Sequence, residues 1–201
     1  MNLLRICRVM ILVMLSANLQ AASYYTFEQG RNLYDGGAYE EAAKSIASLA
    51  EEGDARAQYY LGELALQGHA GTPDPVTACD WFERAADNDH LKAFQALGNC
   101  YLNGEGREQN IDQAIYLYGM AAERGQPEAQ YQLARMYATG SGVPKNPERA
   151  YIYLFLALRG DLKQAPVLRD SLVAELDEEQ LQRARKFALK LLDKQSRSIS
   201  R

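Results

Sequence analysis

Two histidines, three cysteines and several paired carboxylates are the residues of this 201-residue chain equipped for chemistry. A histidine can ligate a metal or carry a proton near neutral pH. Neither His69 nor His90 has a second histidine four residues on, so both read as surface side chains. Glu40-Glu41, Glu51-Glu52 and Glu178-Glu179 would suit glycoside hydrolysis only if two carboxylates faced each other across a cleft. They fall at helix starts or on outer faces, where solvation explains them. Cys79 and Cys100 belong to no Cys-x-x-Cys and have no histidine at ligand spacing, which argues against zinc. His-Glu-x-x-His, Gly-x-Ser-x-Gly, Ser-x-x-Lys and a phosphate-binding glycine loop do not occur. Gly104-Glu105-Gly106 has no strand before it and reads as a turn. The expected work is recognition, with no catalytic residue, no metal and no cofactor.

The first residues bear on the compartment. Arg5 and Arg8 form a basic head, Val9 to Leu15 is wholly apolar, and Ala17, Ala21, Ala22 and Ser23 are small. That order is the pattern of a secretory signal peptide, whose apolar run spans about 7–15 residues. A membrane anchor would need about 20 apolar residues. Cleavage is expected after Ala21 or Ala22, with export to a bacterial periplasm. Loss of residues 1–22 removes two arginines and no acid, leaving a net charge near −6. An acidic chain without a long basic run is a poor partner for nucleic acid. Cys7 leaves with the leader, and Cys79 and Cys100 remain as an even pair in an oxidising compartment. They are compatible with a disulfide, or with two small apolar side chains packed in a helix interface.

The elements that would position a binding face repeat with a period of 36. Ala57, Ala93 and Ala129 keep this spacing, as do Leu61, Leu97 and Leu133, and Gly62, Gly98 and Ala134. So do Gly68, Gly104 and Gly140, then Ala78, Ala114 and Ala150. Each unit reads as two helices and a turn. Glycine closes the first helix because it enters the left-handed conformation without steric cost. Asp74, Asn110 and Asn146 stand where the second helix needs an N-cap, and Pro75 and Pro147 follow at its first position. Trp81 and Phe82 are expected in the core. The helix from Ala150 to Leu158 is apolar all round, and is expected to be buried on all sides between its own unit and the tail, the alternative being an exposed docking stripe for a partner.

These residues resemble the Sel1-like repeats, relatives of the tetratricopeptide repeat. The family pattern is roughly A-x-x-x-L-G-x-x-Y, then G-x-G-V-x-x-D, then A-x-x-W-Y-x-x-A-A-x-x-G. Residues 127–160 match through Leu133, Tyr137, Gly140 to Val143, Asn146 and Ala150. Residues 91–126 carry Leu97-Gly98, Tyr101, Gly104 to Gly106 and Ala121-Ala122, with Arg107 in the valine position. Residues 55–90 supply Trp81-Phe82 and Ala85-Ala86, but their turn, Gly68 to Gly71, departs from the pattern. The organisation expected is a signal peptide at 1–22, a tetratricopeptide-like first unit at 23–54, then these three repeats. Capping helices and a disordered tail fill 161–201. Thr26 with Gln29, and Asp177 with Gln180, have the spacing of capping boxes. The fold class is all-α, a right-handed superhelical solenoid of stacked helix-turn-helix repeats.

The resemblance also implies a binding face. In tetratricopeptide arrays, positions two, five, nine and twelve of each first helix line a concave groove. Here those positions hold Arg56, Tyr59, Glu63 and Leu66, then Lys92, Gln95, Asn99 and Leu102. The third repeat adds Glu128, Tyr131 and Arg135, and the opening unit Phe27, Arg31 and Tyr34. The expected function is an exported scaffold holding a protein or peptide partner. One alternative is an envelope enzyme or ligand-binding protein acting on β-lactam or peptidoglycan-like substrates. The other is a structural spacer in an envelope complex.

Overall fold

A computed structural model describes residues 26–69 and 71–199, and the expected signal peptide lies outside them. The described elements are all α-helices. They fall into two compact units, one ending at Asp89 and the other beginning at His90. The first contains α1 (helical residues 26–35), α2 (Tyr39–Glu51), α3 (Ala55–Gln67) and α4 (Pro75–Asp87). The second contains α5 (Leu91–Asn103), α6 (Ile111–Glu123), α7 (Pro127–Thr139), α8 (Pro147–Ala157), α9 (Ala165–Glu175) and α10 (Glu178–Ile199). In the first unit α2 packs on α3 and α3 on α4; in the second α5 packs on α6, α6 on α7 and α7 on α8, and α9 and α10 both return to α8. The tail past Lys194, expected to be disordered, is helical as far as Ile199.

Capping follows the repeat. Asp74, Asn110 and Asn146 accept from the backbone N–H three residues on, at 3.1, 3.0 and 2.9 Å. Each satisfies a donor that has no partner inside its helix. Gly68, Gly104 and Gly140 close the first helices at φ of 67°, 73° and 81°. Asp177 and Gln180 exchange reciprocal bonds of 2.9 and 2.8 Å, the expected capping box at the start of α10. Thr26 is itself helical, so the cap of α1 lies outside the described residues.

Cores form where small residues let large ones in. In the first unit Phe27, Ile46, Leu49, Ala50 and Ala57 cluster, with Leu61 and Trp81 packed against them. Trp81 is only half-buried, with the Arg84 guanidinium 4.3 Å from its ring centre; Phe82 beside it is the fully buried ring. Adjacent positions stand 100° apart on the helix, and here Phe82 takes the inner one. A Cβ on Gly62 would stand 2.5 Å from the Phe82 ring, and one on Gly98 would stand 2.7 Å from the Tyr118 ring. One period later the pair is Ala134 and Leu154, both fully buried in the core of the second unit. Glycine thus stands where an aromatic ring crosses, and alanine where a leucine does.

The α8 expectation holds in part. Ala150, Tyr151, Leu154, Leu156 and Ala157 are buried, while Ile152, Tyr153 and Phe155 are only half-buried and Leu158 is exposed. The tail helices cover one side of α8 and leave another accessible.

Candidate functional site

Within the first unit the structure brings the predicted face together around tyrosines. Tyr34 meets Tyr60 edge to face at 5.0 Å, and Tyr60 meets Tyr59 at 5.9 Å. The Tyr59 hydroxyl is hydrogen-bonded to Glu63, and burial followed by the Glu63 charge pushes its pKa well above the ordinary phenol value. Tyr34 is raised too, by burial first and Glu63 second. Both hydroxyls are therefore neutral hydrogen-bonding groups at physiological pH, not nucleophiles. Arg31 pairs with Glu28 at 3.0 Å and stands 3.9 Å from Asp35.

Two members of the stripe play other parts. Phe27, expected on the open face, is 4% exposed and belongs to the core, under the edge of Tyr60. Arg56 lies 4.2 Å from the Phe27 ring centre and pairs with Asp54 at 2.7 Å, so it closes the core and the α3 cap. The opening unit has a shorter turn than the later repeats, Gly30 to Ala42 spanning 12 residues against 16 from Gly62 to Ala78. Leu66 is half-buried.

In the second unit Lys92, Glu128 and Arg135 are exposed, and Gln95, Asn99, Leu102 and Tyr131 are half-buried. Asn99 accepts from the Tyr118 hydroxyl at 2.7 Å. Burial raises the pKa of Tyr118, against a smaller downward pull from Arg135. Asn99 and Arg135 thus share one neighbourhood through a second-helix tyrosine that the first-helix pattern does not contain. Tyr131 packs its inner side against the core.

The chemistry-bearing residues are otherwise placed. His69, expected at the surface, is half-buried and stacks on Tyr39 at 3.7 Å. His90 is half-buried at the start of α5. The acidic pairs are exposed, and Arg84 and Arg183 engage Glu51 and Glu179. Among the described residues no group of three or more His, Cys, Asp or Glu side chains could hold a metal. Cys79 and Cys100 are each buried in their own helix.

A concave feature of the second unit lies outside the predicted stripe. It is a cleft of about 820 Å³ bordered by α6, α8 and α10. The all-round apolar run of α8 was its main sequence signal, read first as burial and alternatively as a docking stripe. The α10 wall has no counterpart in the repeat, although Leu181, Ala184, Ala188 and Leu191 mark one face of that helix in the sequence.

Repeated helical hairpins whose faces offer tyrosine, amide and charged groups define a helical-repeat protein. The Sel1 repeat profile matches residues 55–90, 95–126 and 127–162, and the chain belongs to that family. Proteins with these repeats generally serve as protein-interaction scaffolds. Protein sel-1 homolog 2 of Rattus norvegicus is 35% identical over 112 residues, 56% of this chain and 16% of its own length. Alginate biosynthesis protein AlgK of Pseudomonas syringae is 28% identical over 130 residues, 65% of this chain and 27% of its own. The chain therefore spans only a minor part of these relatives. The crystal structure of c5321, a protective antigen of uropathogenic Escherichia coli displaying an SLR fold, superposes with a TM-score of 0.78. That similarity is at 29% identity and covers 90% of this chain and 40% of the other. Among the described residues no helix is long and apolar enough to cross a membrane.

Proposed function

We propose that the chain is an exported scaffold of the bacterial envelope that binds a protein or peptide partner on its first-helix face. Arg31, Tyr34, Tyr59 and Glu63 form the principal contact of the first unit, and Asn99, Tyr131 and Arg135 that of the second. The observation carrying this reading is the half-exposed Tyr34–Tyr60–Tyr59 cluster. Tyrosines held by one another and by Glu63 offer broad contact area and hydroxyls at little entropic cost, which is why such residues dominate binding hot spots. Export rests on residues 1–22, and the resemblance to an alginate biosynthesis protein supports an envelope setting.

The test compares the native chain with Tyr59→Ala/Tyr131→Ala, both immobilised and exposed to an envelope extract. Loss of a specific partner with unchanged helicity supports the reading. Equal capture by the double variant returns the face to ordinary solvated surface and favours a spacer. Mass spectrometry of the native protein should find a start near Ala22 or Ser23, and an intact Met1 in a soluble cytosolic fraction would overturn export.

A further inference from the structure

The cleft beside α10 is distinct from the first-helix face, and its walls are chemically mixed. Ile152, Tyr153 and Leu156 from α8 face Phe187 and Leu191 from α10. Phe187 is 53% exposed, a large ring held in solvent with no core to fill. Arg124, Arg149 and Lys194 stand at the edges, against Glu123 as the one acid among the lining residues. Arg149 reaches the Tyr137 hydroxyl at 3.4 Å, and among the described residues neither it nor Lys194 forms an ion pair. Arg149 and Lys194 thus hold positive charge that no carboxylate pairs among the described residues, over an apolar floor.

A second observation concerns an adjoining recess of about 280 Å³ that shares Arg124, Leu156 and Gln195 with the cleft. Gln130 lines it and is 1% exposed. Its amide nitrogen donates to the Ala122 carbonyl at 3.1 Å, which fixes the orientation of the amide and leaves Oε1 buried without a donor. A buried acceptor left unmet costs about 1–3 kcal/mol in general, so such groups point to a missing partner.

We infer that this cleft is a second docking site, which takes a short peptide segment of a partner protein bearing a carboxylate beside apolar side chains. The carboxylate answers Arg149 and Lys194, the apolar side chains answer Phe187 and its neighbours, and a peptide N–H answers Gln130. The last requirement separates a peptide from a fatty-acyl carboxylate, which carries no donor. A volume near 820 Å³ lies in the range of pockets that enclose ligands of a few residues.

The experiment selects from a random dodecapeptide library on the purified full chain and measures each enriched peptide against three variants. Arg149→Glu/Lys194→Glu reverses the rim at two exposed positions. Phe187→Ser removes the floor with the charge intact. Tyr34→Ala/Tyr59→Ala reports on the first-helix face. Enriched sequences should combine Asp or Glu with apolar residues. They should bind the rim-reversed and Phe187→Ser chains about tenfold or more weakly, bind the tyrosine variant normally, and weaken as salt rises. Circular dichroism confirms that each variant is folded. Peptides that bind the rim-reversed chain undiminished, or no enrichment at all, overturn the site. Peptides lost only with the tyrosine variant also overturn it, while leaving the first-helix reading intact. Displacement by sodium dodecanoate with no peptide binding would assign the cleft to an acyl carboxylate and refute the peptide.

Discussion

Gly98→Ala is the sharpest test of the packing between paired helices. The new Cβ would stand 2.7, 2.9 and 3.2 Å from Cε1, Cδ1 and Cζ of Tyr118, where ordinary contacts begin near 3.4 Å. The ring has to retreat by about 1 Å, yet it is fully buried and its hydroxyl is bonded to Asn99 at 2.7 Å. Overpacking of this kind costs about 1–3 kcal/mol. Tipping the ring puts the Asn99 bond at risk, worth about 1 kcal/mol more. Against this, replacing glycine inside a helix gains about 0.5–1 kcal/mol. The net expectation is a loss of about 1–3 kcal/mol, which lowers the melting temperature by several degrees in a chain of this size. Thermal and urea unfolding followed by circular dichroism measures it. The third repeat supplies the compensating partner, because Ala134 is matched there by Leu154. In a Tyr118→Leu background the alanine should therefore be much better tolerated, with a coupling of about 1 kcal/mol or more. A stabilised Gly98→Ala, or strict additivity of the two substitutions, would refute the argument.

Three further outcomes are expected. Asp54 accepts from the Arg56 and Ala57 N–H groups at 2.9 and 3.1 Å, and Asp54→Ala should cost about 1–2 kcal/mol at pH 7. Burial raises the Asp54 pKa, but these bonds and the Arg56 charge outweigh it and hold it below the ordinary value. The cost should therefore be fully present above about pH 4 and fade as pH falls through the lowered pKa, which parallel unfolding curves would show. Phe82→Ala should cost about 3–5 kcal/mol and the half-buried Trp81→Ala clearly less, and equal losses in denaturant titration would contradict the assigned burial. We propose that Cys79 and Cys100 are bridged in the exported protein, closing a loop of 21 residues worth about 3 kcal/mol. Thiol titration of the unfolded, unreduced protein should then find no free thiol, and two free thiols would refute the bridge.

What could be read in advance was local. The caps at Asp74, Asn110 and Asn146, the glycine stops and the Asp177–Gln180 box each depend on atoms within a few residues, so residue type and spacing suffice. Tyr34, Tyr59 and Glu63 came together because one repeat register places them on facing first helices. The misplacements arose where partners lie outside the repeat. Phe27 belongs to a shorter unit whose α1 packs inward. Trp81 gave its core position to Phe82, a matter of 100° of helix rotation that a pair of adjacent rings does not disclose. The cleft needed α10, which lies beyond the last repeat and shares no period with it.

The Ala122 carbonyl ties early and late stages of folding to one atom. It accepts from Gln130 at 3.1 Å, a partner eight residues away, and from Gln195 at 3.0 Å, a partner 73 residues away. The first bond closes within a helical hairpin, where local pairing is fast. The second has to wait until nearly the whole chain has emerged, because the entropy of closing the longer loop is met only when α10 lies against α8. A chain made from its amino end would thus form the α6–α7 hairpin before α10 can dock on it. Amide hydrogen exchange should accordingly open α10 before the α6–α7 hairpin.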